Sequence, residues 1–261
     1  MKIILIYNDN SLRNYSYLLG CNVTKKAVII DPLDAHRCLQ RALQEEFSIT
    51  HIINTHEHWD HIAGNDELVD ATGAELIAHA SATIANVTRK VTAGDSITVG
   101  DTIKLVVLDT PGHTLSHICL FATTPSPALF CGDTLFNAGC GNCNNGGSVE
   151  KLYETLSNQL NKLPDETKIY PGHDYIENNI RFALSRDSNN SVLIKWLEKA
   201  KNHDPHVPIT TTLAIEKTIN PFLQLSNKPI IQQLQQDFPQ LSAMPSEKEV
   251  FICLRQLRDH W

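Results

Sequence analysis

The sequence predicts an α/β fold as far as Pro171, with sheets packed between outer helices, followed by an all-helical C-terminal region. Short β-branched runs alternate with helix-period segments through the first part of the chain. Beyond Pro171 the strand signals vanish and four helical segments follow. At 261 residues, with 42% hydrophobic and 20% charged side chains, the chain can bury a core of this size without disulfides or repeats.

Residues 3–7, 16–19 and 27–30 are apolar runs separated by "NDN" and "NVTKK", which suits an opening antiparallel sheet. "LDAHRCLQRALQEEF" has helical periodicity, with Asp34 as its N-cap. "ITHIINT" reads as a strand, "HIAGNDELVDATG" as a helix closed by Gly73, and "AELIAH" as the next strand. Strands follow at "ITVG", "IKLVVLDT", "HICLFAT" and "ALFCGD", then a helix over about 148–162 and a strand at "TKIY". The tail supplies helices at "IENNIRFALSR", "SVLIKWLEKAK", "KPIIQQLQQDF" and "EKEVFICLRQLRD". The expected division is 1–172 and 173–261.

Composition excludes several classes. No apolar run approaches the ~18 residues of a membrane helix, and the N-terminal run is too short for a secretory signal. Seven scattered cysteines read as reduced thiols of a cytoplasmic protein. A formal charge of −7 argues against nucleic acid as a partner. Residues 1–190 carry 14 − 22 = −8 and the rest 8 − 7 = +1, so an anionic ligand is expected to meet the tail.

The chemistry concentrates in "NTHEHWDHIAGN", where His56, His58, Asp60 and His61 fall within six residues between a strand and a helix. In extended chain His56 and His58 point to one side, while Asp60 and His61 at the turn project differently. One ion cannot easily use all four; two can. "LDTPGH" delivers His113, "LFCGDTLF" Asp133 and "IYPGHDY" His173, each at a strand end. Imidazole and carboxylate suit zinc, and also iron or manganese. Asp133 is the natural bridge between two cations. His36, His51, His79, His117, His203, His206 and His260, each alone, read as structural or surface side chains.

"THEHWDH", "TPGHT", "CGDTLF" and "PGHDY" together resemble the metallo-β-lactamase fold superfamily. With "AGCG" and the helical tail containing "NPF", the chain most resembles glyoxalase II, the hydroxyacylglutathione hydrolases. The resemblance implies an αββα sandwich with a helical substrate-binding domain. It implies one divalent metal on His56, His58 and His113, a second on Asp60, His61 and His173, and Asp133 between them, with zinc the first choice. The implied reaction is hydrolysis of S-D-lactoylglutathione to glutathione and D-lactate by a monomeric enzyme. An activated water attacks the thioester carbonyl, with Asp60 as a candidate proton acceptor. The thiolate leaves without a strong acid, since its pKa is only ~8.5. Tyr175, Arg255 and Arg258 are implied glutathione contacts.

One departure stands out. The family pattern after "AGCG" is a basic residue and an aromatic, whereas this chain has Asn142 and Asn144, so weaker glutathione binding or another thioester is expected. Cys140 and Cys143 form a C-x-x-C read as loop cysteines, and Cys131 as packing under Asp133. An iron persulfide dioxygenase would leave Asp60, His61 and His173 idle. A β-lactamase would want a cysteine ligand, and a nuclease a basic surface. A non-catalytic metal-binding relative is opposed by the complete ligand set.

Overall fold

The computed structural model describes residues 1–124 and 126–261. The elements are β1 (Lys2–Tyr7), β2 (Tyr15–Gly20), β3 (Lys26–Ile30), α1 (Ala35–Gln44), β4 (Ser48–Ile53), α2 (Trp59–Ile62), α3 (Asn65–Thr72) and β5 (Glu75–His79). They continue with β6 (Arg89–Val91), β7 (Ser96–Val99), β8 (Ile103–Asp109), β9 (Ile118–Ala122), β10 (Ala128–Gly132), β11 (Leu135–Phe136), β12 (Gly139–Cys140), α4 (Val149–Asn158) and β13 (Lys168–Pro171). The tail holds α5 (Ile176–Arg186), α6 (Ser191–Lys201), β14 (Thr211–Thr212), α7 (Leu213–Ile219), α8 (Lys228–Asp237) and α9 (Glu247–Asp259).

Two six-stranded sheets, ordered β1-β2-β3-β4-β5-β6 and β14-β13-β10-β9-β8-β7, face each other. Strand alternation decides which side chain goes where. Tyr17 and Leu19 of β2 enter the shared core with Val28, Ile53, Leu105 and Phe130. Leu18 points the other way, onto α1 and α3 through Cys38, Ala42 and Leu68. Leu129 and Ile169 do the same on the second sheet, meeting Leu152 and Leu156 of α4 and Phe251 of α9. The result is the expected αββα layering.

The cap residues behave as their chemistry requires. Asp34 accepts from the Arg37 amide, and Gly73 ends α3 at φ 67°. Several elements differ from expectation, among them α7, β11 and β12, which had no expected counterpart. The helix expected over 61–73 is two helices broken at Gly64, whose amide donates to Pro32 O at 2.9 Å. A Cβ at Gly64 would lie 3.0 Å from that carbonyl and from the Ala35 nitrogen. β6 is short and carries two charged residues, so it shows no apolar run.

Strand structure also does not stop at Pro171. β14 pairs antiparallel with β13 through Lys168↔Thr212 and Ile169↔Thr211. Two residues are too few to reveal a period. The tail is thus stitched to the sheet, and Glu216 of α7 tightens the seam. Its buried carboxylate accepts from the Ala138 amide at 2.8 Å and from Thr211 Oγ1 at 2.6 Å. Asn220 Nδ2 donates to Gly139 O at 3.0 Å beside it.

Candidate metal centre

The ligand candidates sit at one end of the sandwich, after β4, β8, β10 and β13, with Asp60 and His61 on the short helix α2 and the others on loops. Ligand atoms of His56, His58 and His113 lie within 4.8 Å of one another, and so do those of Asp60, His61 and His173. Asp133 joins the groups. Its Oδ1 is 3.4 Å from His61 Nε2, and its Oδ2 is 3.5 Å from His113 Nε2 and 3.2 Å from His173 Nε2. All seven residues read from the sequence as ligands therefore converge.

The outward-facing atoms of the imidazoles decide what the inward-facing ones can do. His113 Nδ1 donates to Asn142 O at 2.6 Å, and His173 Nδ1 to Leu12 O at 2.8 Å. His61 Nδ1 donates to Asp31 Oδ2 at 3.0 Å. His58 Nε2 donates to Asn145 O at 3.1 Å. The Thr55 hydroxyl donates to Asp31 Oδ2 at 2.7 Å, and so accepts from His56 Nδ1 at 3.0 Å. Each ring thus spends its proton outward and aims a lone pair inward. His58 Nδ1 meets His113 Nε2 at 2.9 Å, and His61 Nε2 meets His173 Nε2 at 3.2 Å. Two acceptors at such distances repel unless a cation shares them. His56 Nε2 is buried with no hydrogen-bond partner at all. These donors fit a pair of cations.

The local charge agrees. Burial acts to lower His61, yet Asp133 and Asp31 push it up to about 9. Burial acts to raise Asp133, yet His173 and His61 hold it well below the usual carboxylate range. At neutral pH His61 can thus hold a second proton on Nε2, which a cation seated there would displace. Burial lowers His56 and His113, keeping them in the neutral form that offers a lone pair.

Glycine lets the loops close. Gly132 sits at φ 44°, and a Cβ there would lie 2.4 Å from Thr55 Oγ1. At Gly172 a Cβ would lie 2.5 Å from Asp133 Oδ1.

Several residues that hold the site were not singled out in the sequence. Asp31 anchors both His56, through Thr55, and His61. Its signal was available, because it closes an apolar strand as Asp133 does. Asn14 Nδ2 donates to Asp60 Oδ2 at 2.9 Å, and nothing in its local sequence announces this. His117, read as structural, accepts the Asp133 amide at 3.1 Å and positions that loop without ligating. Cys131 is buried under the site, its thiol on Leu135 O.

Beside the ligands, a cavity of about 310 Å³ is lined by Asn142, Asn144, Tyr175, Arg255, Arg258 and Trp261, among others. Tyr175 stacks on His173 with ring centroids 4.8 Å apart, so one wall of the cavity is continuous with a candidate ligand. The two arginines are not the matched pair expected. Arg255 is only 3% exposed, and its Nη1 donates to Cys140 O at 2.9 Å and Gly141 O at 3.2 Å. Its Nη2 and Nε face Asp259. Both line the cavity, but Arg255 spends its guanidinium on the loop that carries Asn142 and on Asp259. Arg258 has one side-chain hydrogen-bond partner among the described residues, Asn179 Oδ1 at 3.1 Å from Nη2, and is the less committed cation. Burial pushes the Cys140 thiol up to about 11 and Cys143 to about 12, and neither is in a disulfide.

The metallo-beta-lactamase superfamily model matches residues 11–173, and that of the hydroxyacylglutathione hydrolase C-terminus matches 174–261. A hydroxyacylglutathione hydrolase of Polaromonas sp. is 50% identical, covering 100% of both chains. One of Nitrosococcus oceani is 48% identical, also over 100% of both. Among solved structures, ETHE1 from Myxococcus xanthus superposes with a TM-score of 0.69 at 26% identity, covering 99% of this chain and 98% of its own. A metallo-beta-lactamase from Staphylococcus aureus gives 0.67 at 25% identity, covering 98% and 71%. Fold, site geometry and full-length likeness agree: this chain belongs to the hydroxyacylglutathione hydrolase family of the metallo-β-lactamase superfamily.

Proposed function

We propose that the protein hydrolyses S-D-lactoylglutathione, or a closely related 2-hydroxyacyl thioester, to glutathione and D-lactate. The reading rests on its membership of a thioester hydrolase family. One observation carries it further: five imidazoles keep their protons outward while Asp133 spans the two groups they form. We assign one divalent metal to His56, His58 and His113 and a second to Asp60, His61 and His173, with Asp133 shared. Zinc suits these donors best, and iron or manganese could replace it. No helix among the described residues is long and apolar enough to cross a membrane. Seven unpaired cysteines favour a reducing, cytoplasmic setting.

When bound, such a pair of cations supplies an acidified water and charge stabilisation for an oxyanion. The chain's own residues do the rest. Asp31, Thr55, Leu12 O, Asn142 O and Asn145 O hold the five rings in the required tautomers. Asn14 turns Asp60 Oδ2 into place, where the carboxylate can take up a proton released during hydrolysis. Water adds to the thioester carbonyl and the C–S bond breaks. The thiolate departs without a dedicated acid because its pKa is only ~8.5. Arg258 neutralises a glutathione carboxylate, Tyr175 flanks the peptide, and the Asn142 and Asn144 amides hydrogen-bond to it. Arg255 serves this pocket by holding its loop.

The test is a thioester panel on metal-loaded protein. S-D-lactoylglutathione should be cleaved faster, in kcat/KM, than thioesters of coenzyme A or of simple thiols. Absence of hydrolysis of any glutathione thioester with zinc, iron or manganese would refute the proposal.

A further inference from the structure

The cavity beside the metal ligands lacks the cation and ring expected on the loop after Gly141, where Asn142 and Asn144 stand. The same cavity is lined by an indole, that of Trp261. We propose that Trp261 is a second aromatic wall of the thiol-side pocket, beside Tyr175, and sets affinity for the glutathionyl half of the substrate. This rests on the thioester-hydrolase reading above.

Trp261 is held but not covered. Its Nε1–H donates to Asn178 Oδ1 at 3.2 Å, and Asn178 also lines the cavity. Its ring meets Phe182 edge-on at 5.6 Å between centroids, while Phe182 itself is buried. Even so, Trp261 remains 53% exposed. An indole with its polar atom satisfied and its ring open to a cavity is a ready surface for a peptide plane. Arg258, three residues earlier, has its guanidinium carbon 6.0 Å from the centroid of the same Phe182 ring. Phe182 thus supports both a cation and an aromatic, delivered by the end of α9 in place of the 142–144 loop. Because Phe182 and Asn178 fix the indole beforehand, little ordering entropy is lost on binding.

The chemistry so recognised is a short peptide thiol: a carboxylate for Arg258, amide groups for Asn142, Asn144 and Asn178, and a peptide face for Trp261. N-acetylcysteamine carries neither the carboxylates nor the γ-glutamyl and glycyl groups of the peptide thiol, so its thioester serves as an internal control.

The experiment compares wild type, Trp261→Ala and Trp261→Phe. Steady-state kinetics use the D-lactoyl thioesters of glutathione and of N-acetylcysteamine, and calorimetry measures binding of S-methylglutathione. Trp261→Ala should raise both KM for the glutathione thioester and the Kd of S-methylglutathione about tenfold. kcat should stay within about twofold, cysteamine-thioester kinetics should not change, and Trp261→Phe should recover most of the affinity. If Trp261→Ala keeps KM and Kd within twofold of wild type while wild type cleaves the glutathione thioester, this proposal alone fails. Equal losses on both thioesters would mark structural damage and overturn it too. A wild type that neither cleaves the glutathione thioester nor binds S-methylglutathione would remove the hydrolase reading itself.

Discussion

Replacing Asp31 by Asn exchanges one oxygen for an amide group at a position 3% exposed that is not among the residues lining the cavity. The wild-type carboxylate only accepts. Oδ1 takes the Thr55 amide at 2.7 Å, while Oδ2 takes the Thr55 hydroxyl at 2.7 Å and His61 Nδ1 at 3.0 Å. An Asn must set two hydrogens on one side. Placed at Oδ2 they meet the His61 N–H; placed at Oδ1 they meet the Thr55 N–H. The cheapest escape is for His61 to move its proton to Nε2, the atom that faces Asp133 and His173. A ring protonated there has no lone pair for a metal. Losing such an outer partner typically costs 10–100-fold in metal affinity, about 1.4–2.7 kcal/mol. Competition against a chromogenic chelator should therefore show one of two metals bound 10–100-fold more weakly in Asp31→Asn. Activity should be recovered in part by excess metal. Both affinities within twofold of wild type would refute the proton-placement argument.

Asp133→Asn should lower kcat by about 10²–10³-fold and reduce metal content, because neither amide atom can replace the shared anion; unchanged kcat with two metals bound would contradict its role. Arg258→Ala should raise KM for a glutathione thioester about tenfold and, because it drops only the Asn179 hydrogen bond, lower Tm by about 2–4 °C. Arg255→Ala removes a buried ion and should lower Tm by about 6–12 °C; the reverse pattern would mean the two roles are exchanged. Burial pushes Glu216 above the usual carboxylate range. The folded chain then binds that proton more tightly than the unfolded chain. Its contribution is fullest below the unfolded pKa of about 4.3 and drains away as pH rises through the folded value. Wild type should therefore lose stability relative to Glu216→Gln in urea melts as pH rises above about 4.3; a gain in that direction would contradict the sign.

Much of the centre was legible because strand ends announce themselves. His113, Asp133 and His173 each follow an apolar run and a turn residue, and the 54–65 cluster is too dense to be chance packing. The helices of the tail carry enough turns to show their period, and α5, α6 and α9 lie where expected. What escaped detection depends on partners distant in sequence. Asn14 meets Asp60 from 46 positions away, and Arg255 meets Cys140 from 115. No local period records such pairings. Arg255 and Arg258 look equivalent at i, i+3, yet Arg255 is consumed by Asp259 and the 140–141 carbonyls while Arg258 holds a single hydrogen bond among the described residues, to Asn179. β14 is too short to register, so the seam between sheet and tail was not visible.

Metal-free protein titrated with zinc, with bound metal counted and S-D-lactoylglutathione hydrolysis followed on the same samples, tests the two-cation claim most directly. The account predicts that full activity requires two equivalents per chain. Full activity at one equivalent, with no second ion taken up, would contradict it.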